Sequence, residues 1–283
     1  MTTEALLLER FPSLSPKLKS AARFVVDHPN DVVTMSMRAL AARAQTQPAT
    51  LVRLAQQLGF AGWPELKAGY VADLGLGSDR YGARAQSLAG RAGDASLVGE
   101  MFNAQRANLD ATASNATRTL HTAARLLKNA AAVHIAGFRA SYPIAYSLAY
   151  GYRLFRSSVS LVDGHAGGLE MQLRPIARGD ALVAVSFAPY SREAMQAVDA
   201  ARAAGARVIA ISDSSASPLA LAAHVVLVFS CRSPSFFPSV AAGVAVAEAL
   251  LEILVADAGA AAARRIDRAE QHLFDSGAYL PNA

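Results

Sequence analysis

Five short apolar runs in the second half of the chain constrain its fold more than any other feature. Residues 131–136, 159–162, 181–187, 208–212 and 224–229 are nearly continuous in Ala, Val, Ile, Leu and Phe. A strand with one wet face alternates polar and apolar residues, whereas a strand buried on both faces does not. Helical stretches at 143–155, 192–204 and 218–222 separate the runs, and a longer one follows at 240–256. Strand and helix in alternation predict an α/β region, a parallel five-stranded sheet flanked by helices on both faces. With 53% hydrophobic and 17% charged residues among 283, the chain can fill such a core, which excludes a disordered polymer.

Before about residue 75 the texture is all-α. Residues 17–28 place Leu18, Ala21, Ala22 and Val25 on one helical face, and His28-Pro29-Asn30 stops that helix. Residues 36–67 divide into a short helix (37–43), a tight connection (44–47) and a second helix from Pro48 to Leu58. Pro48 suits a first turn and Gly59 a C-terminal stop. Leu51, Leu54, Ala55 and Leu58 share one face of the second helix; Ala49, Thr50, Arg53, Gln56 and Gln57 occupy the other, with no acidic residue. Such a face fits a major groove, where Arg reads guanine, Gln reads adenine, and Thr meets phosphate or the thymine methyl. An ordinary surface helix is the competing reading. Trp63 reads as a core anchor for a third helix. Net charge is +5, of which residues 1–70 hold +3, a mild excess that permits an anionic partner without requiring one.

Five glycines (Gly75, Gly77, Gly82, Gly90 and Gly93) mark a linker. The expected organisation is residues 1–75 as the helical domain, 76–95 as linker and 96–283 as the α/β domain. Two helices, at 96–109 and 116–128, are expected to open the latter.

Three strand ends in the α/β region deliver serines to the start of a helix: Ser141 in GFRAS, Ser186 and Ser191 in SFAPYS, and Ser212 in SDSSASP. Ligands of open parallel sheets bind beyond the C-terminal strand ends, where exposed N–H groups, the helix dipole and hydroxyls favour a phosphate. A single such serine is ordinarily an N-cap. His165, in the glycine-rich DGHAGG loop, is a further candidate contact. The six histidines show no metal-ligand spacing, and Glu170, Glu193 and Glu248 lack an evident partner for acid–base work, so no catalytic residue, metal or cofactor is assigned. The lone Cys231 reads as a small buried hydrophobe. The apolar stretch at 240–263 is broken by Glu248, Glu252 and Asp257, and the N-terminus carries Glu4 and Glu9. Neither a membrane span nor a signal peptide is therefore expected, which points to the cytoplasm.

In this order and spacing, the runs ATLVRL and LGFAGW, GFRAS, SFAPYSRE and SDSSASPLA resemble the RpiR/MurR family of bacterial transcriptional regulators. The resemblance covers nearly the whole chain apart from the glycine-rich segment and the last few residues. It implies an N-terminal helix-turn-helix domain on operator DNA and a C-terminal SIS (sugar isomerase) domain. It also implies a phosphorylated sugar or sugar acid as effector, and a homodimer or homotetramer. On that reading Gln47, Thr50, Arg53 and Gln56, at the start and on the polar face of the second helix, are expected to contact double-stranded DNA. Ser141, Ser186 and Ser191 grip the effector's anionic group, with Ser212 and His165 as lesser contacts. The chain departs from the family in two places. Gln45 and Gln47 stand where relatives often carry a turn glycine and a capping serine. Ala188 and Pro189 replace a hydroxyl and a backbone donor of the second serine loop. Two rivals remain: a sugar-phosphate isomerase or lyase with an accessory helical domain, and an assembly protein whose N-terminal helices only associate.

Overall fold

The computed structural model describes residues 3–73 and 81–280, which fall into two compact units, residues 1–80 and 81–283. The first is built from six helices: α1 (Thr3–Arg10), α2 (Pro16–Asp27), α3 (Pro29–Thr34), α4 (Met37–Arg43), α5 (Pro48–Gln57) and α6 (Trp63–Asp73). Their apolar stripes meet in one core that includes Leu7, Val25, Leu40, Leu51, Leu54 and Leu66. Trp63, Leu66 and Tyr70 recur along one face of α6 and are all buried, so the tryptophan does anchor a third helix. His28 leaves the helical region at φ −133°, and Pro29 then opens α3 where the sequence reading had only a stop.

The ends of α4 and α5 follow the same backbone rule with different residues. The N–H of Thr46 bonds back to Ala41 and that of Gln45 to Ala42; likewise Phe60 bonds to Ala55 and Gly59 to Gln56. Both are Schellman closures, which need a left-handed residue just past the helix. Gly59 supplies it at φ +93°, and Gln45 supplies it at φ +50° despite its Cβ.

The second unit holds five parallel strands, β1 (Val133–Gly137), β2 (Val159–Val162), β3 (Ala181–Val185), β4 (Arg207–Ser212) and β5 (Val225–Val228), in the order β2-β1-β3-β4-β5. One sheet face, with Val133, Ile135, Val183, Val185, Ile209 and Ile211, packs under α8 (Ser96–Asn129), α9 (Tyr142–Arg153) and α13 (Ala241–Ala258). The other, with Ala136, Leu182, Ala184, Val208 and Ala210, packs under α10 (Leu169–Leu173), α11 (Arg192–Ala203) and α12 (Pro218–Ala222). Successive residues of each strand thus feed opposite layers, which is why the runs are nearly continuous in apolar residues.

Three expectations are corrected here. The helices read at 96–109 and 116–128 are a single 34-residue α8. Inside it the hydroxyls of Thr112 and Ser114 donate to the carbonyls of Asn108 (2.7 Å) and Asp110 (2.9 Å) one turn back, and the helix continues through them. Within the segment read as a linker, residues 81–89 form α7 (Tyr81–Ala89), fastened by Arg84 to the Ser233 carbonyl and by Tyr81 against the Phe237 ring. The rest of that segment from 76 to 80 lies outside the described residues. Finally, α14 (Ala260–Asp275) follows α13 directly beyond Gly259.

Two polar devices hold the sheet unit from below. His134 on β1 contacts Ser160 on β2 (2.8 Å) and Asp180 before β3 (3.1 Å), so this strand histidine is satisfied within the fold. Asp180 also accepts from the N–H groups of Ala132 and Ala177. Elsewhere the C-terminal carbonyls of three helices receive cations: Arg156 on Leu127 (2.7 Å) and Ala130 after α8, Arg265 on Phe155 after α9, and Lys128 on Asp257 near the end of α13. Together with Arg153 and Arg268 they line a groove of about 750 Å³. Among the described residues no helix is long and apolar enough to cross a membrane.

Candidate functional site

With strand order 2-1-3-4-5, the connections from β1 and β3 leave in opposite directions, to α9 above the sheet and α11 below it. A crevice opens at that reversal, and it is where a sheet of this topology accepts ligands. Gly137 ends β1 there because nothing larger fits: a Cβ would run into the Ala145 side chain and come within 3.1 Å of the Ser141 carbonyl oxygen. The chain then turns through a 3₁₀ segment, Arg139–Ser141, into α9. Across the crevice the 186–191 loop leads from β3 into α11, whose N-cap is Ser191.

These two loops enclose a cleft of about 190 Å³ lined by Ser141, Ser186 and Ser191, with Phe138, Arg139, Phe187 and Pro189 around them. Tyr81 of α7 and Phe237 of the loop before α13 close one side. That loop is itself tied to α8, since Asn108 donates to the Arg232 carbonyl (2.6 Å) and Thr112 accepts from Ser230 N (2.9 Å). The volume lies below the 300–1,000 Å³ or so of sites for drug-sized molecules, so it matches a small ligand.

The three serines are not equivalent. Ser141 Oγ donates to the Phe138 carbonyl (2.8 Å) and accepts from Phe138 N (3.1 Å), so its proton is committed to its own turn. Ser186 Oγ accepts from Ser191 N (3.3 Å), and Ser191 Oγ accepts from Ala194 N (3.1 Å). Neither of these hydroxyls donates to a protein acceptor among the described residues, so both protons are available to an anion. The N-termini of α9 and α11, each of 12 residues, add their partial positive charge from either side of the crevice.

Ser212 and His165 stand apart from the cleft. Ser212 ends β4, one strand beyond the reversal, and its hydroxyl donates to the Ser186 carbonyl (2.8 Å), so it supports the loop from behind. His165 follows β2 on the other side, exposed in a loop shaped by Gly164 at φ +68°; it does not line the cleft. Asp213, given no role in the sequence reading, accepts from Ala188 N (3.2 Å) and from the Tyr190 hydroxyl (2.8 Å) and so fixes the 186–191 loop. Burial and the adjacent Asp213 carboxylate push the Tyr190 phenol far up, so it stays a neutral donor. Tyr81, Phe237 and Arg139 were also missed. The first two come from remote parts of the chain, and Arg139 carries no signal beyond its place in GFRAS.

In the helical unit, α4, the 44–47 turn and α5 place Ala49, Arg53, Gln56 and Gln57 on an exposed face, with Gln47 exposed at the N-cap. Thr50 is corrected. It is only 5% exposed, because it sits one turn before Leu54 at the margin of the apolar stripe and turns inward. Gln47 caps α5 by position only, since its side chain accepts no helix N–H.

Comparison with known proteins accounts for both units. The family model described as "Helix-turn-helix domain, rpiR family" matches residues 2–74, and that of the SIS domain matches residues 126–253. The chain belongs to the RpiR family of transcriptional regulators. The transcriptional regulator HexR of Pseudomonas aeruginosa is 27% identical over 227 residues, 78% of this chain and 78% of that one. An uncharacterised helix-turn-helix-type regulator of Caldanaerobacter subterraneus is 25% identical over 238 residues, 82% and 81% of the two chains. The fold is that of the sugar isomerase domain of an RpiR transcription factor from Sphaerobacter thermophilus (TM-score 0.59, 23% identity, 64% of this chain and 99% of that one). It is also that of Vibrio vulnificus NanR, solved with ManNAc-6P (TM-score 0.56, 21% identity, 98% and 100%). In this RpiR-family chain the cleft therefore lies in the SIS domain, and α4 and α5 lie within the helix-turn-helix domain.

Proposed function

We propose that this RpiR-family regulator binds double-stranded operator DNA through the exposed face of α5. In this reading its DNA affinity is set by a phosphorylated sugar or sugar acid held in the β1/β3 cleft. The observation that carries the reading is the pair of uncommitted hydroxyls, Ser186 and Ser191, between two helix N-termini at the reversal of the sheet. That arrangement supplies donors and partial positive charge to a phosphate group without a metal. NanR, a protein of the same fold, is named as a complex with ManNAc-6P, which agrees with a sugar phosphate there. On α5, Arg53, Gln56 and Gln47 would make base and phosphate contacts, with no carboxylate on that face to repel the backbone. A homodimer or homotetramer would match a two-fold operator with half-sites about one helical turn, or a multiple, apart.

The test is binding of the full chain to fragments from upstream of its own gene at fixed moderate salt, repeated with a panel of sugar phosphates and phosphorylated sugar acids. A retained fragment whose affinity one compound shifts supports the reading. Identical DNA affinity with and without every compound overturns the effector half, and no specific fragment overturns the DNA half. Turnover of a panel member would move the cleft to the isomerase reading.

A further inference from the structure

Among the described residues the cleft has one formal charge on its lining, and that charge stands on an unfavourable backbone. Arg139 follows β1 at φ +53°, a region that residues with a Cβ avoid and glycine enters freely. A glycine would make the same turn without strain, so the arginine side chain is what needs explaining. Its Nη2 donates to Glu193 Oε1 at 2.6 Å, reaching from the β1 loop to the first turn of α11 on the far side of the crevice. The Arg139 side chain is 74% exposed, and an ion pair that wet adds little to stability. Stability therefore does not account for the residue.

Its position does. Ser186, Ser191 and the two helix N-termini serve one anionic group, and Arg139 lines the same cleft beside them. A ligand with a single anionic group engages the hydroxyls and leaves the guanidinium to Glu193. A ligand that also carries a carboxylate can engage both. The present pairing uses one of the five N–H donors of Arg139, and a planar carboxylate is the group that its fork matches best. The hydrogen bond from Arg139 holds the Glu193 carboxyl below the usual glutamate range. Exchange is thus one carboxylate for another, with no proton to move at neutral pH.

We propose that Arg139 is the specificity-determining residue of the cleft, selecting a sugar acid phosphate over a neutral sugar phosphate by exchanging Glu193 for the ligand's carboxylate. This rests on the reading of the cleft as a phosphate-ester site, and the experiment separates the two. Glucose 6-phosphate and 6-phosphogluconate share carbon count and phosphate and differ in charge at C1. Each is titrated calorimetrically, beside inorganic phosphate, into the full chain and into the variants Arg139→Gln, Glu193→Gln and Ser186→Ala.

The wild type should bind the acid about tenfold or more tightly than the aldose phosphate, the scale of one charge-assisted contact. Arg139→Gln should collapse that ratio to near unity, and Arg139→Gly, which relaxes the turn, should do the same if the glutamine variant folds poorly. Glu193→Gln removes the competing carboxylate and should raise affinity for the acid. Ser186→Ala should weaken all three probes. A wild type that does not prefer the acid, or a preference that survives both Arg139 substitutions, overturns the proposal and leaves the phosphate site standing. No binding of any probe to the wild type removes the phosphate-ester reading and this proposal with it.

Discussion

At the scale of single residues, the turn between α4 and α5 shows where local physics is unsatisfied. Gln45 completes the Schellman closure of α4 at φ +50°, a conformation costing an L-residue about 1–2 kcal/mol. Its side chain is exposed, so nothing is lost by removing it. Gln45→Gly should raise stability by about 0.5–1 kcal/mol once the extra freedom of glycine in the unfolded chain, about 0.5–1 kcal/mol, is set against the relief. Gln45→Val, a β-branched residue at positive φ, should cost about 1 kcal/mol or more. Urea denaturation of the three proteins decides it, and a glycine variant no more stable than wild type would show that the left-handed turn is unstrained. The neighbouring α5 yields a second contrast. Arg53→Ala should lower affinity for a retained operator by about 1–3 kcal/mol, whereas Thr50→Val, at a buried and nearly isosteric site, should leave it unchanged. Equal losses in a gel-shift titration would mean that Thr50 faces the DNA after all. Here the sequence was legible only in part. The apolar stripe Leu51, Leu54, Ala55 and Leu58 is plain from spacing, and the face opposite follows from it. Thr50 lies at the stripe's margin, where helical periodicity alone does not decide between inward and outward.

At the scale of elements, the five strands could be read because the sheet is packed by helices on both faces, so few polar residues (His134 and Ser160 among them) interrupt the runs. Their order across the sheet could not. Chain order makes the ends of β1, β3 and β4 look alike, and only the observed order β2-β1-β3-β4-β5 separates Ser141, Ser186 and Ser191 at the reversal from Ser212 behind it. The continuity of α8 was not legible either: back-bonding by Thr112 and Ser114 to carbonyls one turn away lets two weak helix formers continue the helix. The floor of the sheet offers a test at this scale. Burial of Asp180 would raise its pKa, but bonds from Ala177 N, His134 and Ala132 N outweigh it and hold the carboxyl below the usual aspartate range. A carboxyl depressed in the folded state stabilises fully above its ordinary value of 3.8, and the contribution is lost as pH falls below that toward the folded value. Asp180→Asn should therefore cost about 1.5–3 kcal/mol at neutral pH, the worth of hydrogen bonds to a charged group. The gap to wild type should close in acid. Two denaturation curves that stay parallel down to low pH would show that the charge on Asp180 contributes nothing.

At the scale of the molecule, two separate cores make a claim about cooperativity. The helical unit buries Leu7, Leu40, Leu51 and Leu54 among its own helices, and the sheet unit buries two layers of its own. Each should unfold as its own transition in scanning calorimetry. A ligand bound in the β1/β3 cleft stabilises only the unit that holds it, by about 2.7 kcal/mol at a hundredfold excess over Kd, so without DNA the sheet-unit transition alone should rise. Operator DNA alone should raise the other. Regulation enters only when both are present, because an effector that changes DNA affinity must, by linkage, change how strongly DNA stabilises the helical unit, typically by about 1–3 kcal/mol. The expected record is thus a helical-unit transition that ignores the effector without DNA and moves with it when DNA is bound. If the effector shifts that transition equally in both conditions, the two units unfold as one block. If it shifts it in neither, cleft and DNA face belong to one chain without being coupled, and the cleft must serve another end.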